Sequence, residues 1–212
     1  MAQSDPLDEL LICRLDGQRK ALEPCSLVIF GASGDLTARK LIPALYQLFL
    51  ANQLPTPFRI LGFARTPKTD QLWREEMKQA LDKFSRTKPV KPEDWNRFAP
   101  LLFYCQGDYN DPKGYKHLGA RLTEAPDERL KRNRLFYLAT PPSVFGTVVG
   151  RLHNVTLLGK GQTDSFWQRV VVEKPFGHDL VSARELNDEL TQFVYEKQIF
   201  RIDHYLGKET VQ

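Results

Sequence analysis

Side chains able to do chemistry gather at four places in this 212-residue sequence. The first is Gly31-Ala32-Ser33-Gly34-Asp35-Leu36, directly after a short apolar run. Glycines let a backbone turn sharply and come close to a ligand. Where such a loop opens a helix, unpaired N–H groups and the positive dipole end suit a pyrophosphate. The spacing is GxxG, so the GxGxxG fingerprint is not met in full, and a strand-to-helix turn without ligand stays open. The second place is Gly62-Phe63-Ala64-Arg65-Thr66. An NAD-binding fold usually sets an acid here, to hold the ribose 2′-hydroxyl. This segment offers no carboxylate. Arg65 and Thr66 stand there instead, which suits a 2′-phosphate and hence NADP. The plain alternative is a solvated surface arginine.

The third place is Glu173-Lys174-Pro175-Phe176-Gly177, at the end of an apolar run. Lys174 would project into a cleft there, with Pro175 fixing the chain beyond it and a cis bond accessible. An exposed loop charge is the alternative. The fourth is Arg201-Ile202-Asp203-His204-Tyr205-Leu206-Gly207-Lys208-Glu209. A phosphate monoester wants several converging donors, and imidazole, phenol and ammonium all qualify. A lone histidine is usually structural, but this density of polar groups after a strand is harder to read that way.

These places need elements to hold them. Strands are expected at Leu27-Val28-Ile29-Phe30, Phe58 to Phe63, Leu101 to Cys105, Leu135 to Ala139, Arg169 to Glu173 and Ile199 to Ile202. Helices fall between them. Leu36 to Leu50 has helical spacing, with Pro43 marking a start or a kink. Thr69 to Phe84 and Lys113 to Glu124 follow. Ser143 is expected to cap a helix after Pro141-Pro142. Leu180 to Val194 reads as strongly amphipathic. Gly159-Lys160-Gly161-Gln162 reads as a flexible loop. The alternation predicts an α/β fold, a doubly wound, Rossmann-like parallel sheet of about six strands. Residues 1–25 are expected to be a poorly ordered leader and 26–212 the domain.

Composition removes several classes. The hydrophobic share of 42% and charged share of 26% are those of an ordinary globular chain. Net charge is only +4 and no basic stripe appears, so nucleic acid is not an expected partner. The run Asp127-Glu128-Arg129-Leu130-Lys131-Arg132 reads as a solvated helix end. Cys13, Cys25 and Cys105 have no CxxC spacing, which argues against both a disulfide framework and a metal site. The first ten residues lack the basic start and apolar stretch of a signal peptide. Leu10-Leu11-Ile12-Cys13 is far too short to span a membrane.

The three segments 31–37, 173–177 and 201–209 together resemble glucose-6-phosphate dehydrogenase, as does Asn133 to Pro142. The resemblance runs from about Ser26 to the end of the sequence. It implies NADP-dependent oxidation of D-glucose 6-phosphate at C1, giving 6-phosphogluconolactone. It implies that Gly31, Ala32, Ser33, Gly34, Asp35 and Leu36 line the pyrophosphate and that Arg65 and Thr66 hold the 2′-phosphate. Pro142 and Lys174 would touch the cofactor, with Lys174 between nicotinamide and sugar hydroxyls. His204, Tyr205 and Lys208 would bind the substrate phosphate, and Asp203 would orient the histidine that acts as general base. Phe145 stands where the family often has tyrosine. The family's general base lies in a second, sheet-rich domain that also carries its subunit interface. None of His117, His153, His178 and His204 has that context, so this chain alone is expected to be inactive, and the whole enzyme a cytoplasmic homo-oligomer. Two other readings remain: a non-catalytic NADP-binding module, or another sugar or polyol oxidoreductase with a Glu-Lys-Pro strand end.

Overall fold

Six apolar or small residues, Cys25–Phe30, form β1 and are buried at every position. A strand buried on both faces must lie inside a sheet covered on both sides, the usual fate of a parallel strand. The computed structural model describes residues 22–160 and 165–202. The other strands are β2 (Phe58–Ala64), β3 (Leu102–Gln106), β4 (Arg134–Leu138), β5 (Gln168–Glu173) and β6 (Ile199–Ile202). All neighbours pair in parallel, in the order β3-β2-β1-β4-β5-β6. This is the expected doubly wound sheet, whose strand order reverses between β1 and β4.

The helices are α1 (Ile42–Leu50), α2 (Asp70–Phe84), α3 (Pro92–Phe98), α4 (Pro112–Thr123), α5 (Glu128–Arg132), α6 (Phe145–Asn154) and α7 (Leu180–Thr191). A π-helical turn, Thr37–Leu41, leads into α1, and Pro43 falls in the first turn of the regular helix. The chain is already helical before it, with Ile42 N–H bonded five residues back to Thr37, and this wider π turn falls where the proline would otherwise break the regular pattern. The start of the regular helix near Pro43 is thus as expected.

Strand alternation sorts the core into two layers. Val28, Phe30, Leu61, Phe63 and Cys105 face Tyr115 and Leu118 of α4 and Phe145 and Val149 of α6. Leu27, Ile29, Ile60 and Tyr104 face Tyr46 of α1, Trp73 and Met77 of α2, and Phe98 of α3. The β5–β6 end of this second face is different. Val171 belongs to neither layer, and Phe200, its partner across the pair, is 46% exposed. The Arg169 guanidinium lies 4.3 Å from the Trp167 ring centre and 5.7 Å from that of Phe200.

Four local expectations change. Ser143 does not cap a helix: it sits in a 3₁₀ turn, Pro142–Val144, and α6 begins at Phe145 with no side-chain cap. The paired prolines fix the entry instead. The run 127–132 is a helix of its own, with Asp127 accepting from the Arg129 and Leu130 N–H groups. α3 had no counterpart in the sequence reading. α7 buries Leu190 fully and packs the half-buried Leu186 against the first layer, while Leu180 and Val181, in its first turn, are 65% and 63% exposed, so the apolar stripe is carried by the later turns. Of the loop 159–162, residues 161 and 162 lie outside the described residues, as does most of the leader.

Candidate functional site

The glycine loop sits where β1 and β4 part. Gly31 has φ +90°, a conformation that costs residues with a Cβ about 1–2 kcal/mol. A Cβ there would stand 2.3 Å from the Ala139 carbonyl oxygen at the end of β4. Ala139 donates its N–H to Phe30 at 3.0 Å, closing the two strands together. The loop folds back on itself: the buried Thr37 hydroxyl donates to the Gly31 carbonyl at 3.0 Å, and Gly34 N–H to the same oxygen at 2.9 Å. A Cβ on Gly34 would meet only that oxygen, at 3.0 Å, and otherwise open space. Ser33, Gly34 and Asp35 are exposed, Ala32 is buried and Leu36 half-buried. The Asp35 carboxylate is engaged by Arg39 at 2.8 Å, so a phosphate approaching this loop meets a carboxylate already paired. A loop without side-chain bulk, opening a helix at the switch point, fits a dinucleotide's phosphates.

Below the loop, the Trp73 indole N–H donates to the Ala32 carbonyl at 3.2 Å. Gly62 allows this closeness: a Cβ there would lie 2.7 Å from both the Ala32 methyl and the Trp73 ring.

Arg65 and Thr66 leave the end of β2 and are exposed. Arg65 borders a cleft of about 440 Å³ with Gln106, Gly107, Asp108, Lys113 and His117. Those residues come from the end of β3 and the start of α4 and were not singled out in the sequence. The available signal was Gln106-Gly107-Asp108 directly after a strand, since ligands bind at the carboxyl ends of such strands. Cys105 Sγ lies 3.6 Å from His117 Nδ1, and burial pushes the thiol up to about 12.

Lys174 is exposed at the carboxyl end of β5, and the Lys174–Pro175 peptide is cis. Glu173 accepts a short hydrogen bond from the Tyr137 hydroxyl of β4. Burial and that bond hold the phenol well above its ordinary range. Gly177, at φ +131°, lets the chain pass α7, since a Cβ would be 2.5 Å from Ala183 N. Pro142 is half-buried after β4, and Phe145 is fully buried in the core rather than turned to the cleft. Ile202 of β6 pairs with Glu173, at the same edge of the sheet. Asp203, His204, Tyr205 and Lys208 lie outside the described residues. The structure thus brings the glycine loop and Arg65–Thr66 side by side, and sets Lys174 on the far side of β4.

Residues 28–212 match the family model described as the glucose-6-phosphate dehydrogenase NAD-binding domain. The chain belongs to the glucose-6-phosphate dehydrogenase family. The glucose-6-phosphate 1-dehydrogenase of Chlamydia muridarum is 44% identical over 195 residues, covering 91% of this chain and 38% of the relative. That of Aggregatibacter actinomycetemcomitans is 46% identical over 191 residues, covering 90% and 37%. A solved glucose-6-phosphate dehydrogenase in complex with its substrate glucose-6-phosphate superposes with TM-score 0.77 at 39% identity, covering 88% of this chain and 38% of that one. A glucose-6-phosphate 1-dehydrogenase from Mycobacterium avium gives 0.73 at 36%, covering 86% and 37%. The chain therefore spans less than two fifths of these dehydrogenases. The cofactor class is a nicotinamide dinucleotide. Among the described residues, no helix is long and apolar enough to cross a membrane.

Proposed function

We propose that this chain is the NADP-binding domain of a glucose-6-phosphate dehydrogenase, oxidising C1 of D-glucose 6-phosphate to the lactone. The observation that carries the proposal is the pairing of two features at one sheet edge. A glycine loop opens at the switch point, and Arg65 rather than an acid ends β2 beside it. Bound NADP supplies the hydride acceptor. Gly31 to Leu36 line the pyrophosphate, and Arg65 with Thr66 selects the 2′-phosphate by charge-assisted hydrogen bonds. Pro142 borders the cofactor. Lys174 binds and orients the sugar hydroxyls. His204, Tyr205 and Lys208 grip the substrate phosphate, and Asp203 holds the general-base histidine in its working orientation. The domain, expected from residue 26, is taken to begin with β1 at Cys25, and the residues before it as leader. A cytoplasmic homo-oligomer, assembled through a C-terminal sheet domain, follows from the resemblance alone.

A domain that binds without a general base should hold NADP but turn over slowly, because losing that base costs about 10²–10⁴-fold. Titrating residues 1–212 with NADP and with NAD tests the first half. NADP is expected to bind more tightly, and Arg65→Ala to abolish most of the difference. Equal binding of both nucleotides would overturn the cofactor assignment. Reduction of NADP with glucose 6-phosphate at the rate of a complete relative would overturn the division of labour.

A further inference from the structure

The segment bearing Arg65 is held by a strand that carries none of the residues expected to touch a ligand. Three consecutive carbonyls are gripped by the end of β3. Ala64 accepts from Gly107 N–H at 3.0 Å, Arg65 from the Gln106 side-chain amide at 3.3 Å, and Thr66 from the Tyr104 hydroxyl at 2.6 Å. Tyr104 and Gln106 are two apart on the strand and so share a face. Tyr104 is itself immobilised. It is 4% exposed, its ring packs 5.8 Å from that of Trp73, and its N–H donates to Asp70 Oδ1 at 2.7 Å.

A phenol has one proton to give. Thr66 is closer than Ala64, at 2.6 Å against 3.3 Å, and the Ala64 oxygen is already served by Gly107. The proton therefore goes to Thr66. The Ser33 hydroxyl, 3.3 Å away, then donates to the phenol oxygen. This chain of bonds, Ser33 to Tyr104 to Thr66, ties the glycine loop to the Arg65 segment. Arg65 is exposed, and an exposed arginine otherwise wanders among many rotamers, so a fixed backbone is what confines its reach.

We propose that Tyr104, supported by Gln106, is a positioning residue for cofactor choice: it holds Arg65 and Thr66 in register with the glycine loop. The proposal rests on Arg65 meeting a 2′-phosphate. A nucleotide lacking that phosphate makes no use of the arrangement, so the effect is selective.

The test uses the 212-residue chain, calorimetric titration and four probes: NADP, NAD, adenosine 2′,5′-bisphosphate and 5′-AMP. Tyr104→Phe removes only the hydroxyl. It should weaken NADP and the bisphosphate about 3- to 10-fold, the worth of one net hydrogen bond, while NAD and 5′-AMP stay within about twofold. Gln106→Ala, at an exposed position, should act in the same direction more weakly and decides the matter if Tyr104→Phe fails to fold. In an Arg65→Ala background both effects should shrink to the part carried by Thr66, since a double-mutant cycle isolates the coupling. Equal weakening of all four probes, no weakening, or an effect undiminished without Arg65 would overturn the positioning role alone. An Arg65→Ala variant that binds NADP as before would instead sink the 2′-phosphate assignment, and this inference with it.

Discussion

Replacing Gly31 with alanine should separate the loop's structural demand from its ligand demand. Two costs add. The φ of +90° costs a residue with a Cβ about 1–2 kcal/mol. The new Cβ would stand 2.3 Å from the Ala139 oxygen, roughly 1 Å inside an ordinary carbon–oxygen contact of about 3.3 Å. Relieving that overlap means moving backbone at the β1–β4 junction, and overpacking of this kind costs about 1–3 kcal/mol. The sum is about 2–5 kcal/mol. For a domain of this size each kcal/mol lowers Tm by about 2–4 °C, so a fall of the order of 10 °C is expected. Gly34→Ala is the contrast. Its Cβ would touch only the Gly31 oxygen at 3.0 Å, so its Tm should fall by no more than about 3 °C. Its methyl nevertheless stands on the exposed side of the loop, where the proposed function brings the phosphates, so nucleotide binding should be lost while the fold survives. Thermal melts and NADP titrations on the same samples measure both quantities. A Gly31→Ala protein melting within about 2 °C of its parent would refute the close approach of β1 to β4.

Other outcomes follow from buried groups. Trp73→Phe removes the donor to Ala32 and leaves a void beside Gly62. It should lower stability by about 1–3 kcal/mol in urea, without changing the slope. The Cys25 and Cys105 thiols are pushed up to about 12, chiefly by burial. They should resist alkylation at about pH 8 in the folded chain and react once urea is added, because only the thiolate attacks. The same shift has a sign. Above the unfolded value of about 8.5 the unfolded chain releases these protons and the folded chain keeps them. Stability should therefore fall as pH rises from about 9 toward 12, by up to about 1.4 kcal/mol per pH unit for each thiol. Chemical denaturation across that range checks it. A flat profile would mean the thiols ionise in place.

The strands β1 and β5 were legible because burial on both faces leaves an unbroken apolar run, and short spacers with helical period could only be crossovers. The glycine turn was legible because a positive φ and a close approach to β4 at Gly31 admit little but glycine. What escaped was whatever depended on partners far along the chain. Tyr104 looked like an ordinary strand aromatic, yet its hydroxyl reaches Ser33, 71 positions away, and Thr66, 38 positions away. A buried phenol must find a partner, but the sequence does not say which. Gln106 was passed over because β3 was placed one residue early, ending at Cys105. α3 escaped because seven residues with one buried side chain make no period. The first turn of α7 shows the converse: Leu180 and Val181 extend the apolar pattern but lie outside the stripe that Leu186 and Leu190 set against the core.

Arg169 has a consequence for behaviour in solution. Its guanidinium lies over Trp167 and beside Phe200, on a stretch of sheet that the two core layers leave open. A bare, flat, apolar sheet end is adhesive, and natural sheets guard against stacking with an inward-pointing charge. One cation here gives two aromatic rings a favourable neighbour while denying another molecule a dry surface to settle on. β6 adds a second guard by being only four residues long. The cation and the short strand together guard this end of the sheet.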